Sequence, residues 1–233
     1  MRKDLKATSA DPGILGKWGS SSEYFIKQSN RTISFQVRDG LGSGVVTGYQ
    51  ASNILSDNTN VWEHIAITYD VTGNQVKFYK DGALFSTVSR NSDYVSGAKR
   101  MSNSANKFHV GVVTSTSNNP FDGDLSNIAV FKHDGDATAK RSNVVSSAED
   151  IKFLYNDGMV FDYNQHSKAS DMVCWWPMAI NRGDQDADTL PNSGSASAAL
   201  QDGREYSGTV VTHGLNQSPF HHGGTKYLFS HLS

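Results

Sequence analysis

Apolar and polar side chains alternate through much of the first half of the chain. Within residues 32–37, Ile33, Phe35 and Val37 occupy every second position and polar residues lie between them. A period of two predicts a β-strand with one buried face. Asp39–Gly40 follows directly, and an Asp-Gly pair between two alternating segments favours a hairpin turn.

The clearest stretch predicts a three-stranded antiparallel meander. Its strands are residues 61–70, 75–80 and 83–88, and they are rich in β-branched and aromatic side chains. Two short polar connections, Thr72–Asn74 and Asp81–Gly82, separate the strands. Connections of this length join antiparallel neighbours in a sheet.

Shorter segments with polar flanks predict additional strands. These segments are residues 13–19, 24–27, 45–49, 107–113, 126–131 and 171–178. Only residues 146–158 have the period of a helix. Ser146 and Glu149 have the spacing of a capping box there, and Gly158 fits a helix C-terminus. The apolar face of this helix is Ile151, Leu154 and Tyr155.

The order and spacing of three motifs carry a family resemblance over residues 13–158. The motifs are Trp62–Asp70 followed by Val76–Gly82, then Phe121–Leu125 with Ile128–Phe131, then Leu154–Gly158. Together they resemble the laminin-G-like, concanavalin A-like lectin/glucanase superfamily. The resemblance implies an all-β, two-sheet antiparallel jelly-roll sandwich with one short helix. It implies no particular ligand, because function depends on the site and not on the fold.

The domain organisation that follows has three parts. Residues 1–12 are an N-terminal segment, residues 13–160 the sandwich, and residues 161–233 a C-terminal strand with an extended tail. Members of this family usually open with an apolar strand before the position of Gly13, and only about a dozen mostly polar residues precede it here. An unpaired sheet edge is a liability, so we expect residues 171–233 or a neighbouring subunit to cover it.

Composition excludes several classes of function. The formal net charge is −2 with no basic cluster, which argues against nucleic-acid binding. No apolar segment approaches the length of a membrane span, and no apolar leader follows Met1, so we expect no membrane insertion. Cys174 is the sole cysteine and lies in an apolar segment, which favours a buried small side chain over a reactive thiol.

An enzymatic function is not expected. Glucanases of the superfamily use carboxylates aligned on one strand, whereas the glutamates here are scattered at Glu23, Glu63, Glu149 and Glu205. Candidate ligand-binding residues are the aromatic side chains near predicted turns, Trp18, Tyr49 and Tyr94, because sugars are often held by exposed rings.

Calcium is a possible cofactor, and no other cofactor is expected. Carboxylate oxygens are the ligands that calcium prefers, and spacing at alternate positions is typical of calcium loops. The candidate ligands are Asp122, Asp124, Asp184, Asp186 and Asp188. The alternative interpretation is a solvated acidic loop, because the following glycine and the distant bidentate glutamate of a calcium loop are missing.

The leading hypothesis from sequence is a non-enzymatic virion structural protein, either a capsid decoration or a tail-associated adhesion module. Residues 175–178 and the polar loop after them look like segments that trail such domains in phage and marine bacterial surface proteins. Its partners would be other capsid or tail proteins, like subunits and host-surface glycans, at the virion surface. The alternative is a secreted or cell-surface bacterial carbohydrate-binding domain, which is extracellular.

Overall fold

Antiparallel pairing organises the strands that the structure describes. The computed structural model describes residues 1–3, 12–18, 23–38, 46–57, 61–70, 75–89, 108–112, 121, 123–131, 145, 147–159, 161–176, 189–190 and 203–204. The chain divides into two compact units, one of residues 2–124 and one of residue 1 with residues 125–233.

The first unit, residues 2–124, contains two larger sheets and one two-residue pair. Its strands are β1 (Arg2–Lys3), β2 (Gly13–Lys17), β3 (Tyr24–Ser29), β4 (Thr32–Arg38), β5 (Val46–Ala51), β6 (Ile65–Asp70), β7 (Gln75–Lys80), β8 (Ala83–Ser89), β9 (His109–Val110) and β10 (Gly123–Asp124). The five-stranded sheet has the order β5-β4-β3-β2-β9, the three-stranded sheet has the order β6-β7-β8, and β1 pairs with β10.

One apolar row crosses all five strands of the larger sheet. The register places Val110, Leu15, Ile26, Phe35 and Tyr49 side by side, because β9, β2, β3, β4 and β5 pair in that sequence. The rings of Phe35 and Tyr49 are 6% and 2% exposed. This row therefore marks the side of the sheet that faces the core.

The core between the two sheets is aromatic. Tyr69 of β6 lies 5.7 Å from the ring of Phe35 and 6.1 Å from the ring of Tyr49, measured between centroids. Val76 and Phe78 of β7 are fully buried. Aromatic pairs at these separations add to the stabilisation that burial of their area provides.

Tight turns fix the connections of both sheets. Asp81 and Gly82 join β7 to β8 with φ of 48° and 76°, and Asn30 has φ of 51° between β3 and β4. Two consecutive positive φ angles match the twist of a hairpin and favour Asp-Gly. The predicted meander is confirmed, although its first strand begins at Ile65 and not at residue 61.

The second unit contains the α-helix. Its elements are β11 (Ile128–Phe131), α1 (Ala148–Tyr155), β12 (Met172–Trp176), β13 (Thr189–Leu190) and β14 (Gly203–Arg204), with 3₁₀ turns at Asn156–Gly158, Tyr163–Gln165 and Ala169–Asp171. β11 pairs with β12 and β13 with β14. The Trp175 ring stacks on Tyr163 at 5.3 Å, and its Nε1 donates to Asn127 Oδ1 at 2.6 Å.

The capping box of α1 lies one residue later than predicted. Ser147 caps the helix, because its Oγ accepts from the Asp150 N–H at 3.0 Å while Asp150 Oδ2 accepts from the Ser147 N–H at 3.2 Å. Ser146 with Glu149 and Ser147 with Asp150 have the same spacing, so sequence alone did not separate them. At the other end the C-cap is Asn156, with φ of 49°, and Asp157 and Gly158 after it also have positive φ, of 51° and 79°.

The confirmed fold is the all-β, two-sheet antiparallel sandwich with one short α-helix that the sequence predicted. The predicted strand at residues 107–113 is described only as His109–Val110. Cys174 is buried at 4% exposure, as expected, and burial raises the pKa of its thiol to about 12. None of the helices in the described ranges is long and apolar enough to cross a membrane.

Candidate functional site

Most of the acidic calcium candidates lie outside the described residues. This holds for Asp122, Asp184, Asp186 and Asp188, and also for the ligand candidate Tyr94. Asp124 is described in β10, where it pairs in register with Arg2. Within the described ranges, no three His, Cys, Asp or Glu side chains gather in a way that suits a metal ion. The calcium site remains a prediction.

Tyr49 does not have the exposed ring that its position near a turn suggested. Its side chain is 2% exposed, and its ring lies 6.3 Å from that of Phe35. The reason is register, because Tyr49 pairs with Phe35 and so shares the core-facing side of the sheet. A ring in this position contributes to packing between the two sheets.

Trp18 lies directly after β2 and is partly exposed. Its ring forms an edge-to-face pair with Phe25, with centroids 4.5 Å apart and an interplanar angle of 77°. The Cζ of Arg38 lies 5.5 Å from the centroid of the Trp18 ring, which is within the range of a cation–π interaction. Strands β3 and β4 and the residue that follows β2 therefore each contribute one side chain to this cluster.

A second row crosses the five strands on the side away from the apolar row. It consists of His109, Gly16, Phe25, Gln36 and Gly48, which pair in register from β9 to β5. Successive residues of a strand point to opposite sides of the sheet, so this row and the apolar row lie on opposite faces. The second row contains two glycines, which carry no side chain.

These two glycines shape the surface. A Cβ on Gly16 would lie 2.6 Å from the Cβ of Phe25, so the absent side chain allows the Phe25 ring to lie close against β2. Gly48 is exposed, and the atoms nearest to its position belong to the Gln36 side chain, at 3.7 and 3.9 Å. The Gln36 carboxamide therefore lies next to an open stretch of backbone.

We call this region the Trp18 face. It consists of Trp18, Gln36, Arg38, Gly48 and Gln50, of which Gly48 and Gln50 are exposed and the other three are partly exposed. Gln50 is on the same side as Gly48, two positions further along β5. The face combines one indole ring, one guanidinium group and two carboxamides over a glycine.

The charges of the five-stranded sheet have one sign. Its strands contain Lys17, Lys27 and Arg38, and no Asp or Glu. The nearby carboxylate of Glu23 lies 2.7 Å from Lys17 Nζ, and its side chain is only 8% exposed. The Glu23 carbonyl accepts from the Arg38 N–H at 2.7 Å, which fixes the backbone of Arg38.

Sequence reasoning identified Trp18 but not the other members of the Trp18 face. The sequence feature that could have identified them is the alternation in β4 and β5. Gln36, Arg38, Gly48 and Gln50 occupy every second position there, on the side opposite the core-facing residues. Such positions are ordinarily solvent-exposed without further function. Only the register between β2 and β4, through β3, shows that they surround an aromatic ring.

Comparison with known proteins supplies a family. A model described as the concanavalin A-like lectin/glucanases superfamily matches residues 6–166. A search of curated proteins finds no match.

Solved structures with similar coordinates show low sequence identity. A Bacteroides ovatus protein described as carbohydrate binding is 14% identical, with a TM-score of 0.47 over 79% of this chain and 45% of that one. The Ruminococcus gnavus IT-sialidase CBM40 is 16% identical, with a TM-score of 0.37 over 50% of this chain and 66% of that one. The botulinum neurotoxin serotype D binding domain is 17% identical, with a TM-score of 0.40 over 66% of this chain and 34% of that one. The chain thus spans less than half the length of the Bacteroides protein.

Proposed function

Because the chain belongs to the concanavalin A-like lectin/glucanase superfamily, we propose that it is a carbohydrate-binding domain without catalytic activity. The glycan binds at the Trp18 face. The observation that carries this proposal is the aromatic pair of Trp18 and Phe25 on the side of the five-stranded sheet opposite the apolar row. An antiparallel sheet with one face in the core usually carries polar side chains on the other.

The chemistry of the Trp18 face suits a sugar. Binding sites combine aromatic surface with a few convergent polar groups that fix orientation. The partly exposed Trp18 ring provides the flat apolar surface. The carboxamides of Gln36 and Gln50 each offer both a donor and an acceptor, and Arg38 offers donors only. Hydroxyl groups of a sugar need both kinds of partner.

Open backbone at Gly48 adds room for a ligand. Gly48 is exposed, and a Cβ there would have only ordinary contacts with Gln36. A ligand on this side of the sheet can therefore approach the backbone of β5 between two polar side chains. Large side chains at this position would close that approach.

Binding without catalysis fits the distribution of carboxylates. Most glycoside hydrolases flank the scissile bond with two carboxylates. The five strands that carry the Trp18 face contain none, and Glu23 beside them is engaged by Lys17 at 2.7 Å. The Trp18 face therefore offers hydrogen bonds and apolar contact, but its strands offer no pair of carboxylates to act as acid and base.

A carbohydrate-binding role outside the cell is better supported than the virion role expected from sequence. The family model that matches residues 6–166 describes lectins and glucanases, which are proteins that bind carbohydrates. We accordingly propose an extracellular or cell-surface location and a glycan as the partner.

A glycan array tests this function. The intact chain should give a saturable signal that soluble ligand competes away, and Trp18→Ala should abolish it without lowering the melting temperature by more than a few degrees. Phe85→Ser is the matched control, because Phe85 is 43% exposed on β8 of the other sheet and its loss should leave binding unchanged. Absence of any competable signal refutes the function, and equal losses in both variants refute the site.

A further inference from the structure

The strands of the Trp18 face concentrate positive charge. Three basic residues and no acidic residue occur in the five strands, although the whole chain carries a formal net charge of −2. Lys17 is neutralised by Glu23 at 2.7 Å. Lys27 and Arg38 lie on the same side as Phe25 and Gln36, since each is two positions away from a member of that row.

Arg38 is a cation without a carboxylate partner in the described part of the chain. Its guanidinium contacts the Trp18 ring instead, and its Nε is shielded from solvent without a hydrogen-bond acceptor among the described residues. A guanidinium is charged at every physiological pH, and the contact with the Trp18 ring, 5.5 Å from Cζ to the centroid, places this charge beside the indole. Its terminal nitrogens, which have no carboxylate partner among the described residues, are available to an acceptor group on a ligand.

We propose, resting on the proposed function, that the Trp18 face prefers acidic glycans over neutral ones. The group recognised is a carboxylate or a sulfate on the sugar, which Arg38 holds while the ring of the sugar contacts Trp18. Planar donors of arginine match the paired oxygens of a carboxylate or a sulfate, and charge-assisted hydrogen bonds are stronger than neutral ones. The neutral Gln36 and Gln50 then bind the hydroxyl groups of the same residue.

Matched pairs of oligosaccharides test this preference, since the members of each pair share the same sugar chain and differ only in whether the acidic group is present and ionised. One pair is oligogalacturonate and its full methyl ester, and the other is a sulfated galactan oligosaccharide and its desulfated form. By isothermal titration we expect the acidic member of at least one pair to bind about tenfold more tightly, as a charge-assisted bond predicts. The pair that shows the difference identifies carboxylate or sulfate as the group recognised.

Substitution of Arg38 then tests whether this side chain causes the preference for acidic glycans. Arg38→Gln should reduce the acidic-to-neutral ratio to within about twofold, and added salt should weaken acid binding in the wild type alone. Lys77→Gln on β7 of the other sheet removes the same charge and should leave the ratio unchanged. Melting temperatures of both variants confirm that they fold.

The outcomes separate this inference from the function on which it rests. If no acidic member binds more tightly than its neutral partner, or if Arg38→Gln keeps the ratio, the acidic preference is wrong. Carbohydrate binding itself would still stand on a competable signal from a neutral glycan on the array. It fails only if no glycan binds at all.

Discussion

The side chain of Glu63 is 4% exposed, and its Oε1 accepts from Lys80 Nζ at 2.6 Å and from the Ser56 N–H at 2.8 Å. Glu63→Ala removes both acceptor contacts and leaves the Lys80 ammonium without this counter-ion. Loss of one partner from a buried ion pair costs about 3–5 kcal/mol. Because the Lys80 side chain is 26% exposed, water replaces part of the interaction, and we expect a loss of about 2–4 kcal/mol.

Urea denaturation followed by tryptophan fluorescence measures this loss directly. The matched control is Asp57→Ala, which removes a carboxylate 3.1 Å from Arg31 Nε. The Asp57 side chain is 77% exposed, so its pair should contribute less than about 1 kcal/mol.

A double-mutant cycle isolates the pair itself. Lys80→Met alone leaves a carboxylate buried and should cost at least as much as Glu63→Ala. The variant that carries both changes should lose clearly less than the sum of the two single losses, because neither charge is then left behind. Additive losses, or a Glu63→Ala variant within about 0.5 kcal/mol of wild type, would show that the Glu63–Lys80 pair does not stabilise the fold in this way.

Three further predictions concern packing and titration. Gly16→Ala should lower the free energy of unfolding in urea by about 1–3 kcal/mol, because the new Cβ would lie 2.6 Å from that of Phe25. Gly48→Ala, whose Cβ would lie 3.7 Å from its nearest neighbour, should change it by less than about 1 kcal/mol. Equal losses in the two variants would contradict the close contact between Gly16 and Phe25. Burial lowers the pKa of His64 from 6.5 to about 4, so the unfolded chain binds its proton first and the free energy of unfolding should fall as pH decreases from 6.5 to 4. His64→Gln should flatten that slope, and an unchanged slope counts against the assignment. Cys174 should react with a thiol reagent at pH 8 only after unfolding, because burial raises its pKa, and rapid labelling of the folded protein would contradict this.

Features set by neighbouring residues could be predicted from the sequence. The meander of β6, β7 and β8 follows from alternation and from Asp81–Gly82, which adopts the positive φ angles that such a turn requires. The capping box of α1 was predicted one residue early, because Ser146 with Glu149 and Ser147 with Asp150 have the same spacing in the sequence. The reciprocal hydrogen bonds between Ser147 and Asp150 show that this pair forms the capping box.

Features set by pairing between strands could not be predicted in the same way. The ring of Tyr49 faces the core because it pairs with Phe35, and a shift of one residue would have put it on the other side. The same register brings Trp18, Gln36 and Arg38 onto one side of the sheet. Sequence alternation gives the two faces of each strand, but not which faces of different strands coincide.

The most direct test of carbohydrate binding at the Trp18 face is nuclear magnetic resonance mapping with the strongest ligand from the array. Binding at the Trp18 face should give saturable shifts in the backbone amides of Gln36, Gly48 and Gln50 and in the Trp18 indole N–H, with little change along β6, β7 and β8. Shifts concentrated in the three-stranded sheet, or no saturable shift at the Trp18 face, would contradict it.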